Sequence, residues 1–132
     1  MRHAVLDTNI LVSALMRPDG PPGQVMAAVR LGESVPVFSR TILAEYETVL
    51  RRARLRLDPA SVEEALATIR NIGSFVDGDE PPAPANLPDA GDWPFIACAL
   101  AAGCPVVTGN LKHFPPRVGV KVMTAREWVD QR

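Results

Sequence analysis

Short apolar runs alternate along this chain with longer segments of helical period, and that alternation restricts the fold more than any other feature. Ala4-Val5-Leu6, Val35-Pro36-Val37-Phe38, Pro105-Val106-Val107-Thr108 and residues 119–123 read as strands, with Ser74-Phe75-Val76-Asp77 as a brief additional one. Helical patterns lie between them. Strands that alternate with helices are expected to form a parallel sheet covered by helices on both faces, because each crossover returns the chain to the same end of the sheet. The internal Pro36 cannot donate to a ladder, which suits a sheet edge or a strand start.

The helices carry their own punctuation. Residues 24–31 read as a helix stopped by Gly32, preceded by the turn-rich loop Pro18-Asp19-Gly20-Pro21-Pro22-Gly23. Ser39 caps a helix over 41–50 whose Ile42, Leu43, Tyr46, Val49 and Leu50 form one apolar stripe. Residues 61–72 form another, with Ser61 and Glu64 at capping-box spacing and Gly73 as its stop. From Asp92 the pattern of Phe95, Ile96, Ala99 and Leu100 is helical, with Pro94 tolerated in the first turn and Gly103 closing it. Thr124 and Glu127 make a capping box for a last short helix. The stretch 78–91 carries Pro81, Pro82, Pro84 and Pro88 without periodicity. At about 14 residues it is longer than most connections, and ordered loops of that length often serve function.

Length and composition narrow the class. With 132 residues, 47% of them apolar, the chain is expected to fold as one domain over 1–132. No apolar run approaches the roughly 18 residues needed to cross a bilayer, and no secretory signal is visible, so a cytoplasmic protein without membrane attachment is expected. Cys98 and Cys104 have no zinc-type spacing and read as small buried thiols in a reducing compartment. A formal net charge of −1 gives no global attraction for nucleic acid, so any such binding must rest on local charge.

Four acidic residues stand where chemistry would want them. Asp7 closes the first strand, at the position where α/β sheets open their ligand crevice. Glu45 falls about 100° from the centre of its apolar stripe, at a border from which a side chain leans toward the sheet. Asp89 and Asp92 stand where the proline-rich loop enters a helix. Each has a plain alternative: Asp92 as a helix cap, Asp89 as a turn residue, Glu45 as a solvated helix residue. Taken together, clustered carboxylates repel and would protonate unless a cation neutralised them. Oxygen ligands without Cys or paired His favour Mg²⁺ or Mn²⁺ over zinc. Hard cations held by carboxylates typically serve phosphoryl or phosphodiester transfer, by activating water and offsetting phosphate charge.

At these residues the chain resembles the PIN-domain ribonucleases and, within them, the toxins of VapBC-like toxin–antitoxin systems. Asp7-Thr8-Asn9-Ile10-Leu11-Val12-Ser13-Ala14 is similar to the family's opening motif, and residues 39–50 to the helix bearing its glutamate, here Glu45. Asp92-Trp93-Pro94-Phe95-Ile96-Ala97-Cys98-Ala99-Leu100 and Val107-Thr108-Gly109-Asn110-Leu111-Lys112-His113-Phe114 are similar to the third and fourth motifs, in order. The resemblance implies a three-layer α/β/α sandwich around a mainly parallel sheet of about five strands. It also implies a Mg²⁺- or Mn²⁺-dependent endoribonuclease acting on RNA, a cognate antitoxin as partner, and a homodimer.

By position, the resemblance makes Asp7, Glu45 and Asp92 the catalytic acidic core and Asp89 an extra acidic ligand. Thr8, Asn9, Ser13, Thr108 and Asn110 would supply supporting hydrogen bonds. The chain departs from the pattern at Asn110, where many members carry a fourth aspartate, which puts a strict two-metal mechanism in doubt. Arg51, Arg52, Arg54 and Arg56 form the densest basic patch, a candidate RNA or partner contact or else a solvated helix end. His113 stands in the same relation to substrate: a candidate contact, or a surface residue without a role. Two other readings share the architecture. One is a PIN fold that binds without catalysis, motivated by Asn110. The other is an aspartyl-phosphate phosphoacceptor, disfavoured because its second aspartate would stand at Asn9.

Overall fold

The computed structural model of the chain describes residues 2–87, 89–114 and 119–131. Five parallel strands form one sheet: β1 (Arg2–Leu6), β2 (Ser34–Phe38), β3 (Ser74–Phe75), β4 (Val106–Val107) and β5 (Val122–Met123), in the order β3-β2-β1-β4-β5. Helices α1 (Thr8–Met16), α2 (Pro21–Arg30), α3 (Arg40–Leu50), α4 (Pro59–Ile72), α5 (Trp93–Ala102) and α6 (Ala125–Asp130) flank it, giving the expected α/β/α sandwich. No helix among the described residues is long and apolar enough to cross a membrane.

The chain starts in the middle of the sheet, and that order fixes where a ligand can sit. From β1 it winds outward through β2 to β3, then returns to the other side of β1 as β4. The two crossovers leave the carboxyl ends of β1 and β4 in opposite directions, which opens a crevice between them. Val5 pairs with Val106 and Leu6 with Val107, so the residues that emerge side by side at that end are Asp7 and Thr108.

The core explains why these segments are strands and helices. Val5, Leu6, Val37, Val106 and Val107 are almost wholly buried, as a sheet covered on both faces requires. Ile42, Tyr46 and Leu50 of α3, Val62, Leu66 and Ile69 of α4, and Phe95, Ile96 and Ala99 of α5 complete one continuous cluster. Burial pushes the Cys98 thiol up to about 12 and raises Cys104 as well, so both are protonated, unpaired thiols. Gly103 ends α5 in the left-handed region at φ 67°, where a side chain would be strained.

Three local expectations are corrected here. The Pro21-Pro22-Gly23 part of the presumed loop is the first turn of α2: proline is tolerated at the first helical positions because the missing N–H has no helical partner there. Gly23 is required, since a Cβ would lie 1.9 Å from the Pro18 carbonyl oxygen. Likewise α4 starts at Pro59, two residues before Ser61, and its cap is Asp58, which accepts from the Ser61 N–H at 3.0 Å and the Ser61 hydroxyl at 2.8 Å. Finally, β2 is not an edge strand. However, β3 pairs only with Val37 and Phe38, beyond the proline. Pro88 lies outside the described residues.

Tyr46 ties α3 to the end of β1. Its buried hydroxyl donates to the carbonyl of Leu6, the residue before Asp7, and burial raises its pKa well above the usual phenol value, so it stays a neutral donor. Tyr46→Phe keeps the ring but removes this donor, and should cost about 1–2 kcal/mol, read from the urea midpoint at unchanged m-value.

Candidate metal-binding site

Asp7 is N-cap to α1, and its carboxylate is fully engaged. Oδ1 accepts from the Thr8 N–H at 2.8 Å; Oδ2 accepts from the Thr108 hydroxyl at 2.7 Å and from Asn9 Nδ2 at 3.2 Å. Asn9 is itself fixed, its Oδ1 accepting from the Gly109 N–H at 3.1 Å. Burial pushes the Asp7 carboxyl above its usual range, against the Thr108 hydroxyl and the Thr8 N–H, which favour the charged form. The Thr8 hydroxyl donates to Glu45 Oε2, so the neighbours of Asp7 orient the second acidic residue as well. The side-chain roles expected of Thr8, Asn9 and Thr108 thus have matching geometry. Ser13 is exposed, and among the described residues no hydrogen bond of its side chain reaches the site.

Asp92 approaches from the other side. It ends the three-residue turn Ala90–Asp92 and precedes α5, yet its side chain makes no capping hydrogen bond. Trp93 anchors this entry by donating from Nε1 to the Pro81 carbonyl at 2.7 Å, which folds the proline-rich loop back over the helix start. Asp92 is 8% exposed, and its Oδ2 is buried with no hydrogen-bond partner. Its carboxyl is raised from 3.8 to about 6, by burial first and then by the charges of Asp7, Asp89 and Glu45, with His113 opposing. Asp89 does act as a turn residue, its Oδ1 accepting from the Gly91 N–H at 2.8 Å.

His113 joins this corner. Its Nδ1 lies 3.1 Å from Asp92 Oδ2 and its Nε2 lies 2.9 Å from Asn110 Nδ2. Asp89, Asp92 and His113 each bring one donor atom within 4.8 Å of the others. Sequence alone makes His113 no more than a candidate substrate contact. The signal that places it here is its spacing from Asn110, because residues three apart on a 3₁₀ turn share one side, and Leu111–His113 is such a turn. Asp7 and Glu45 reach Asp92 through their charge, while among the described residues the group whose donor atoms gather within 4.8 Å is Asp89, Asp92 and His113.

Basic residues are distributed otherwise than a shared patch would require. Arg51 is engaged with Glu63 at 2.8 and 3.0 Å and with Glu47 at 3.6 Å, an exposed network of small energetic weight. Arg52, Arg54 and Arg56 are exposed around the turn Ala53–Leu55, and among the described residues no hydrogen bond or ion pair links them to the acidic corner.

The donor set fits a divalent cation. An orphaned buried carboxylate oxygen, two carboxyls raised by burial and further acids nearby form a corner that a positive charge would relieve. Because the folded-state pKa of Asp92 lies above its ordinary value, its contribution to stability is complete below about pH 4 and is lost as pH rises through about 6. In metal-free buffer Asp92→Asn should therefore raise the melting temperature near neutral pH, and the gain over wild type should shrink toward about pH 4. Calorimetric scans of both proteins across that range check the sign; a gain independent of pH would contradict the assignment.

The comparisons agree with this architecture. The model of the PIN domain family matches residues 3–112, a span that includes Asp7, Glu45, Asp92, Thr108 and Asn110. Among solved structures, a chain of VapBC-1 from nontypeable Haemophilus influenzae superposes with a TM-score of 0.60 at 15% identity, covering 94% of this chain and 98% of that one. No curated protein matches the sequence.

Proposed function

We propose that this chain, which belongs to the PIN-domain family, is a divalent-metal-dependent endoribonuclease and the toxin of a type II toxin–antitoxin pair. The observation that carries the catalytic part is the buried pair Asp7 and Asp92 at the crevice between β1 and β4, with one Asp92 oxygen unsatisfied. The toxin part is supported by the fold likeness to the VapBC-1 chain. In this reading residues 1–132 act as a single cytoplasmic domain that dimerises and is held in check by a separate antitoxin.

Asp7 and Asp92 would hold Mg²⁺ or Mn²⁺ directly or through water, with Glu45 and Asp89 binding the ion or its waters. So held, the ion would supply a lowered pKa for an attacking water and a charge to offset that of the phosphate. The protein supplies position. Thr108, Asn9 and the Thr8 N–H keep the Asp7 carboxylate in one orientation, and the Thr8 hydroxyl keeps Glu45 turned inward. Asn110 donates its N–H to the Thr108 hydroxyl at 3.0 Å, which leaves that hydroxyl's proton for Asp7. Ligands fixed in this way need no rearrangement when charge develops on the phosphate.

Asp7→Asn keeps the shape and removes the charge. It should lower divalent-dependent RNA cleavage by more than the roughly 10–100-fold typical of losing an outer hydrogen-bond partner, with an unchanged circular dichroism spectrum. Undiminished cleavage would remove Asp7 from the site. If Arg52, Arg54 and Arg56 steer RNA, replacing all three by alanine should reduce the log–log salt slope of RNA binding by roughly 0.7 for each phosphate no longer neutralised. An unchanged slope returns them to the solvated surface.

A further inference from the structure

One donor at the acidic corner is not an oxygen. His113 Nδ1 stands 3.1 Å from Asp92 Oδ2, at ion-pair distance from a buried oxygen that has no hydrogen-bond partner. The two atoms are close without a hydrogen bond between them, which leaves both free to bind one cation. Their separation is that of neighbouring ligands on one octahedral ion, since bonds of about 2.1 Å at right angles put adjacent donors roughly 3 Å apart. Asp89, Asp92 and His113 each offer one donor atom within 4.8 Å of the other two. Resting on the metal-dependent reading above, we infer that His113 is a nitrogen ligand of the divalent cation and makes the site select Mn²⁺ over Mg²⁺.

The selectivity follows from donor chemistry. Mg²⁺ keeps to oxygen ligands and its own waters, whereas imidazole binds transition metals well, so one ring nitrogen tilts an otherwise hard site toward Mn²⁺. Asn110 makes the exchange feasible. Where Asn110 Nδ2 donates to Nε2 across their 2.9 Å contact, a singly protonated ring carries its proton on Nδ1, the nitrogen beside Asp92. Ligation through Nδ1 requires that proton to leave and Nε2 to carry one. Turning the amide over presents Oδ1 at the same place to accept the Nε2 proton, the arrangement that fixes most metal-bound histidines. The net change is the transfer of one proton from Nδ1 to Nε2. An aspartate at position 110 could accept in the bound state but could not donate in the free one. Asn110 thus acts as a positioning residue through His113.

The test is direct. Tag-free protein loaded with equimolar Mn²⁺ should show a directly coordinated nitrogen in pulsed EPR, with the coupling changing on ¹⁵N-histidine labelling. The chain has two histidines, and the other, His3, is exposed on β1; the coupling should vanish in His113→Gln and persist in His3→Gln. By calorimetry His113→Gln should weaken Mn²⁺ about tenfold or more while changing Mg²⁺ by less than about twofold. Bound Mn²⁺ without a nitrogen coupling, or equal losses for both ions, overturns the role of His113 and leaves the metal site standing. Absence of binding by either ion at millimolar concentration in the wild type overturns the metal reading itself.

Discussion

Asp7 and Asp92 lie within each other's electrostatic field while each is only 8% exposed, and a folded chain sustains that arrangement only with a proton or a counter-charge nearby. The two carboxylates meet this constraint differently. Asp7 is surrounded by donors: a backbone N–H, a hydroxyl and an amide. Asp92 has an oxygen with no hydrogen bond and only the His113 ring at 3.1 Å, and it is the one whose pKa is lifted to about 6. Donors prepare a carboxylate to stay charged, whereas an orphaned oxygen in the same crevice is poised for something the chain does not itself provide. The asymmetry separates a carboxylate that the chain already holds in one orientation from one that keeps an oxygen without a hydrogen bond.

The backbone enforces the encounter from three directions. Register between β1 and β4 brings Asp7 beside Thr108; the Tyr46 hydroxyl fastens α3, and with it Glu45, to the carbonyl of Leu6; Trp93 pins the proline-rich loop so that Asp89 and Asp92 enter together. Each constraint is a hydrogen bond or ladder made by a residue adjacent to an acid. None depends on the acids attracting one another, which they do not. The repulsion is therefore stored in a scaffold already fixed by the core, which holds the acids together with no ion needed to place them.

Local signals in the sequence are sufficient wherever one element decides the outcome. Ser39 before α3, the Thr124 and Glu127 pair at α6 and Gly103 after α5 are caps whose chemistry needs only a few neighbouring residues. Even there, signals compete: Pro21-Pro22 reads equally as a turn or as the start of a helix, and Ser61 offers a cap that Asp58 with Pro59 pre-empts. The acids near Asp7 are legible because strand ends and helix borders limit where a side chain can point. His113 is not, because its approach to Asp92 depends on the path of a 3₁₀ turn after β4 and on the end of the loop before α5, two segments without periodicity. Ser13 is the opposite case: a polar residue in a matching motif that the helix leaves exposed.

Asn110 and His113 acquire a common explanation from the same constraint. A corner that already gathers Asp7, Glu45, Asp89 and Asp92 has little tolerance for another negative charge, since each added carboxylate would push its neighbours' pKa values further up and force a proton into the site near neutrality. An imidazole that binds through a ring lone pair adds a donor without adding negative charge, and a neutral amide holds that imidazole by whichever of its two ends the ring requires. An aspartate at position 110 would supply charge but only one polarity of hydrogen bond. The amide is then not a weakened acid: it exchanges electrostatic strength for control of the adjoining ring, and the coordinating capacity the site forgoes at 110 is available three residues later.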